Sequence, residues 1–184
     1  MMLTEFLVPT YVQMLTGLKN WLKKAEDQRP NGGAEPLLSA RLVSDMFPLS
    51  TQIRFTCVQA IEGVYRLQGR DLPPMVSEYL DEGRAAGEQP GTMAEAIGRI
   101  DAAIALIEQA AGQADELAGN TEIAHSLPMG MTFDMTALQF GRDWSLPQFY
   151  FHICAAYNIL RAQGVELGKA DYIGHAIGYL RKSG

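Results

Sequence analysis

Apolar residues near the start of the chain recur at spacings of three and four: Val8, Tyr11, Leu15, Leu18 and Leu22. That is one face of an amphipathic helix. Pro9 has no amide hydrogen and suits only a first turn, so the helix is expected to begin between Thr4 and Val8. Lys19, Lys23 and Lys24 suit the negative pole at its other end, and Asn31-Gly32-Gly33 breaks it. Pro36 to Val43 is a short apolar segment of one or two helical turns. Asp45, two residues before Phe47-Pro48, is placed to cap a second helix over Pro48–Leu67. Its inward stripe is Leu49, Ile53, Cys57, Ala60, Val64 and Leu67, with Gln52 and Thr56 on the border and Gly69 as the stop.

Asp71-Leu72-Pro73-Pro74 cannot continue a helix. Met75 to Gly91 is rich in glycine and charge and reads as a connecting loop, with one helical turn near Val76–Leu80. Thr92 and Glu95 form a capping box that opens a third helix, with Met93, Ile97, Ile100, Ile104, Ile107 and Ala111 on one face. Ile123, His125 and Leu127 then alternate, Pro128-Met129-Gly130 turns, and Met131–Phe133 returns, which predicts a short hairpin. Asp134 or Thr136 caps a short helix through Phe140, and Ser145-Leu146-Pro147-Gln148 has the form of a second capping box. The fourth long helix then runs to Gly164, and a tail follows with small helical potential at Tyr172, Ile173, Ile177 and Leu180.

That fourth helix is apolar on most of its circumference, so it is expected to be the one the others wrap. Four long amphipathic helices indicate an all-α four-helix bundle, with residues 1–184 forming a single domain. The third connection is too long for simple up-down neighbours, which predicts a crossover there carrying the hairpin.

Composition narrows the class. The chain is 47% hydrophobic and 20% charged, as in an ordinary globular protein. No apolar run reaches the roughly 18 residues that span a bilayer, and Glu5 and Pro9 stand where a signal peptide would be basic and then apolar. Two cysteines make no disulfide framework, so a reducing cytoplasm and no membrane partner are expected. A formal net charge of -6, with Lys23-Lys24 the longest basic cluster, argues against nucleic acid. The Leu3–Leu22 face and the fourth helix suggest a twofold homodimer.

His152 carries the most chemical capability. It could bind a metal or move a proton, but a lone buried histidine is more often satisfied by a neighbouring oxygen. A metal needs companions, and the residue one turn before it is Gln148, whose amide oxygen is a poor zinc ligand. His125 and His175 lack ligand spacing to His152 and read as surface or packing residues. Cys57 and Cys154 read as buried, inert thiols. Arg41 with Asp45, Arg142 with Asp143, and Lys169 with Asp171 read as ion pairs or solvated charges. Trp144, Phe149, Tyr150, Phe151 and Tyr157 suit a core, and also a pocket lining. No phosphate loop, nucleophile elbow or Cys-x-x-Cys is present.

Two signatures carry a resemblance. Leu38-Ser39-Ala40-Arg41-Leu42, Asp45-Met46-Phe47-Pro48-Leu49 and Gln52 form the first; Thr92–Ile100 lies between them. Phe149-Tyr150-Phe151-His152, Ala156-Tyr157, Ile159-Leu160-Arg161, Gly164-Val165 and Gly168–Gly174 form the second. Together they resemble a bacterial family known only as a domain of unknown function, placed with the DinB/YfiT-like metalloenzymes. The resemblance implies a four-helix bundle with a long crossover. Metal-binding members of that superfamily use one histidine from the second helix and a His-x-x-x-His pair from the last. Aligned on Leu160-Arg161, His152 falls at the second histidine of the pair, Gln148 at the first and Gln52 at the second-helix position. One ligand of three survives, which implies a pocket without metal, and counts against thiol-transferase chemistry. Two readings follow. One is a ligand-binding bundle whose old metal pocket is a polar cluster of Gln52, Gln148 and His152, flanked by Tyr150 and Tyr157, for an unidentified small molecule. The other is an enzyme using His152 as base or sole imidazole ligand of zinc or nickel, with Tyr150, Tyr157 or Arg161 nearby.

Overall fold

The computed structural model describes residues 2–112, 116–127 and 130–181. Pro128 and Met129 of the expected hairpin turn lie outside the described residues, as do 182–184 of the tail.

Helix α1 spans Leu3–Gln28, so it begins before the expected window and Pro9 lies inside it. The early start has a tertiary cause. The Glu116 carboxylate accepts from the amides of Leu3 and Thr4 (2.5 and 2.7 Å) and from the Thr4 hydroxyl (2.6 Å), supplying partners that a first turn lacks. Pro9 removes the amide that would reach the Glu5 carbonyl, on a side of the helix where Glu5 and Pro9 are both exposed to water. Beyond the helix, Asn31 and Gly32 take left-handed conformations (φ 59° and 77°) and turn the chain. A short 3₁₀ segment, Glu35–Ser39, follows and buries Leu37 and Leu38.

Helix α2, Leu49–Leu67, carries no exposed residue; Gln52 and Thr56 are as buried as the predicted stripe. This corrects the expectation that the last long helix would be the wrapped one. Asp45 does not cap α2: it is exposed, and the Leu49 amide instead bonds to the Ala40 carbonyl at 2.9 Å.

The segment expected as a loop is largely helix α3, Pro74–Ala85. Pro74 opens it in the first turn, and Val76, Tyr79 and Gly83 form its buried edge. Gly83 is there for proximity, because a Cβ would strike the Phe55 ring, 2.9 Å from Cδ1. With that contact bare, Thr51 donates to the Gly83 carbonyl at 2.7 Å. Helix α4, Met93–Ala111, opens with the predicted Thr92–Glu95 box. Its buried face is Met93, Ala96, Ile100, Ala103, Ile107 and Ala110, while Ile97 and Ile104 are only half-buried and Ala111 is exposed. The core side thus alternates isoleucine with alanine, which lets α1 and α2 approach closely.

The hairpin forms. Strand β1, Glu122–Ser126, pairs antiparallel with β2, Thr132–Thr136, with His125 opposite Phe133. Thr136 and Gln139 make the capping box of a single turn, α5, Ala137–Gln139. No second box follows. Ser145 has helical dihedrals and no capping bond, because the backbone continues through a π-helical stretch, Phe140–Ser145, into α6, Leu146–Ala162. Pro147 has no amide to give a regular turn, and the wider turn lies immediately before it. Ser145 is fully buried and its hydroxyl lies 2.6 Å from that of Tyr11 on α1. Gly164 (φ 83°) ends the helical run, and Lys169–Tyr172 forms α7, followed by a 3₁₀ stretch, Gly174–Tyr179.

Helix α2 packs against α1, α3, α4 and α6; α4 and α6 each contact α1 and α2 and form the diagonal pair. The chain between them, with the hairpin, therefore crosses the helical layer. The result is all-α apart from the two-stranded hairpin, around one cluster of buried residues. Among the described residues no helix is long and apolar enough to cross a membrane.

Where α1, α2 and the π-helical turn meet, Gly63 leaves no room for a methyl group. A Cβ there would land on the Ser145 hydroxyl and 2.8 Å from that of Tyr11. Gly63→Ala is expected to cost about 3 kcal/mol, from overpacking and a split buried hydrogen bond. Gly98 in α4 has nothing within 4 Å of such a Cβ, so Gly98→Ala should add ~0.5–1 kcal/mol. Urea denaturation of the two variants measures both.

Candidate functional site around His152

Helix α6 turns His152 toward α2, where Gln52 projects from the first turn. The His152 Nδ1 and the Gln52 Oε1 are 2.8 Å apart. An amide oxygen can only accept, so Nδ1 carries the hydrogen and Nε2 holds the free lone pair. Gln52 is itself oriented by its Nε2 donating to the Phe47 carbonyl at 3.4 Å. The imidazole is 8% exposed, with Phe55 and Phe151 edge-on to it at 5.3 and 5.2 Å between centroids. Phe47 packs on Phe55 in the same way at 5.5 Å. Phe47 and Phe151 are both about half exposed, so this aromatic cluster reaches the surface while the imidazole is buried within it. Burial alone pushes the imidazole down to about 4, which keeps it neutral at pH 7.

The other expected members are distributed differently. Gln148, one turn earlier on α6, is half-buried and has no hydrogen bond to the pair. Tyr150 and Tyr157 are not brought to His152. Tyr150 packs on Phe149, and Tyr157 packs on Trp21 and Tyr172. With Cys154 these tyrosines fall at positions 150, 154 and 157, a separate stripe of α6. Cys154 is half-buried rather than enclosed, its sulfur 3.4 Å from the Tyr172 hydroxyl, whereas Cys57 is buried and pushed up to about 12 by desolvation. Arg161 donates to the Val165 carbonyl at 3.0 Å and serves the end of α6.

His125 is a packing residue, 3% exposed, against Phe140 and Trp144; Glu62 lies 3.7 Å from its Nδ1. His175 is exposed beside Asp171 and Tyr172. Arg142 pairs with Asp143 as expected, but Asp171 takes Lys24 (2.9 Å) in place of Lys169, and Arg41 donates to the Met46 carbonyl in place of Asp45.

Around His152 the donors are one imidazole and amide oxygens, and the nearer amide already accepts from the imidazole. That set does not fit a tightly held zinc or nickel ion. Among the described residues no three His, Cys, Asp or Glu side chains converge.

The chain from residue 3 to 173 matches the family described as "Domain of unknown function (DUF1993)". It is also similar to the crystal structure of a DinB family member protein from Shewanella denitrificans, with 31% identity and a TM-score of 0.71. The likeness covers 94% of this chain and 92% of that one. No curated protein matches.

The depressed pKa fixes the direction of pH dependence. The unfolded imidazole binds a proton near 6.5 and the folded one only near 4, so stability is full above 6.5 and falls as the pH drops toward 4. The expected loss is about 3 kcal/mol at most, read from urea midpoints across that range. The His152 ring protons should not titrate between pH 8 and 5; an NMR midpoint near 6.5 contradicts this.

Proposed function

Because the chain belongs to the DUF1993 family and has the DinB-like fold, we propose that it is a helical binding protein whose former metal pocket now takes a small molecule without metal. The observation that carries this is the 2.8 Å bond from His152 to Gln52. It spends one imidazole nitrogen on an amide and leaves the other as a neutral acceptor on a ring flanked by Phe55 and Phe151, with Phe47 packed on Phe55. An apolar ligand with a single hydrogen-bond donor suits that surface: the ring faces offer area and Nε2 offers one directed bond. Cytoplasmic residence and a twofold dimer belong to the same proposal. The groove of Leu3, Phe6, Leu7, Leu138 and Leu146, between α1 and the start of α6, supports the dimer.

A second reading rests on the same nitrogen. A neutral imidazole with an open lone pair can serve as a general base, with Gln52 fixing its tautomer. A reaction run this way should lose its rate below a limb near pH 4 and should be abolished in His152→Gln.

Metal analysis separates the proposal from a metal-dependent enzyme. Tag-free protein is expected to hold far less than one zinc or nickel per chain, while Gln52→His combined with Gln148→His should bind one. Stoichiometric metal in the unaltered protein overturns the reading. Light scattering at micromolar concentration should give twice the chain mass; a monomer refutes the dimer.

A further inference from the structure

Arg54 lies two residues beyond Gln52 on α2, with its side chain 4% exposed. Burying a guanidinium is costly unless its donors are used. Its Nε donates to Glu82 of α3 at 2.9 Å, and its Nη1 donates to the carbonyls of Ser50 (3.1 Å) and Pro90 (3.4 Å). Nη2 has no partner among the described residues. Glu82 does not supply one: its Oε2 takes the Nε of Arg54 and of Arg99 on α4, and its Oε1 takes Arg99 Nη2.

Nη2 borders a cavity of about 200 Å³ between α3 and the start of α4. At ~30 Å³ per water this is room for several water-sized groups. Gly91 keeps the cavity open. Its φ is +77°, and a Cβ would lie 3.1 Å from Arg54 Nη2 and 2.8 Å from Glu95 Oε2. Glu95 is exposed; its Oε2 serves the Thr92 amide and hydroxyl at 2.8 and 3.2 Å, while its Oε1 has no protein partner among the described residues. The cavity therefore presents a buried cationic donor and, at its solvent side, an anionic acceptor free to bind a ligand. Its charges balance, Arg54 and Arg99 against Glu82 and Glu95, so a dianion such as phosphate would meet two carboxylates without a surplus of positive charge.

We propose that this cavity binds a small zwitterion, with the ligand's carboxylate on Arg54 Nη2 and its ammonium group toward Glu95. A free amino acid with a short side chain is the chemical class that matches both charges and the volume. The site is independent of the His152 pocket: His152 does not line this cavity.

Arginine side-chain ¹⁵N NMR and calorimetry on the full chain test it, with glycine and L-serine as probes against acetate, ethylammonium and inorganic phosphate at constant ionic strength. The expected result is a saturable shift of the Arg54 Nη signals with glycine or serine, and binding at least tenfold weaker for each single-charge probe and for phosphate. Ala85→Trp, an exposed position on the cavity wall, and Gly91→Ala should each weaken binding tenfold or more. Thermal melts by circular dichroism establish which variants remain folded, and Ala85→Trp keeps the test valid where the left-handed Gly91 backbone rejects alanine. No saturable shift with either amino acid overturns the proposal. So does phosphate binding more tightly, or unchanged amino-acid affinity in folded Ala85→Trp.

Discussion

Helix α2 has no fully exposed residue, and only the stripe of Phe55, Gln59, Glu62 and Arg66 is half-buried, so most of its polar side chains lie away from water. The buried polar residues on it therefore need protein partners, and several find them on the helices packed against it. Thr51 takes the Gly83 carbonyl of α3, Gln52 takes His152 of α6, Arg54 takes Glu82 of α3, and Gln68, just past the end, takes the Ala110 carbonyl of α4. The apolar stripe provides the driving force for collapse, but it is largely non-directional. These bonds fix which neighbour sits where and at what rotation. Ser50 is an exception: among the described residues its buried hydroxyl has no partner.

This division explains what could be read from the sequence. Periodicity and capping are local, so the four long helices, the hairpin, the Thr92 box and Thr136 as one of two candidate caps were all legible. What depended on distant partners was not. The start of α1 rests on Glu116, more than a hundred residues away. Helix α3 was hidden because Gly83 and Gly87 look like breakers, although Gly83 is required for contact with Phe55. Ser145 looked like a cap because its spacing to Gln148 is right, yet its hydroxyl lies against Tyr11. Density of apolar residues singled out α6 as the central helix, whereas the centre is α2, whose buried polar residues diluted that signal.

The same applies to the site. The relation of His152 to Gln52 was legible through family spacing, since two helix positions known to face each other define a contact. The placement of Tyr150 and Tyr157 required knowing which sides of α6 meet which helices. One stripe carries His152 to α2, while another carries Tyr150, Cys154 and Tyr157 toward Tyr172 and the α1 tryptophan. Arg54 escaped notice because a single arginine in an apolar helix carries no pattern; its partners Glu82 and Arg99 come from helices whose packing the sequence does not state.

The π-helical turn at Phe140–Ser145 sets the phase of everything after it. One residue fewer in that turn would restore regular helix and swing the remainder by about 100°. Ser145 would leave Tyr11, and His152 would leave Gln52. The length of chain between the hairpin and His152 therefore constrains these contacts more tightly than the identity of the residues along it. Substitutions along that stretch are tolerable wherever packing allows, whereas a single-codon deletion would break the His152–Gln52 contact and the Tyr11–Ser145 contact together.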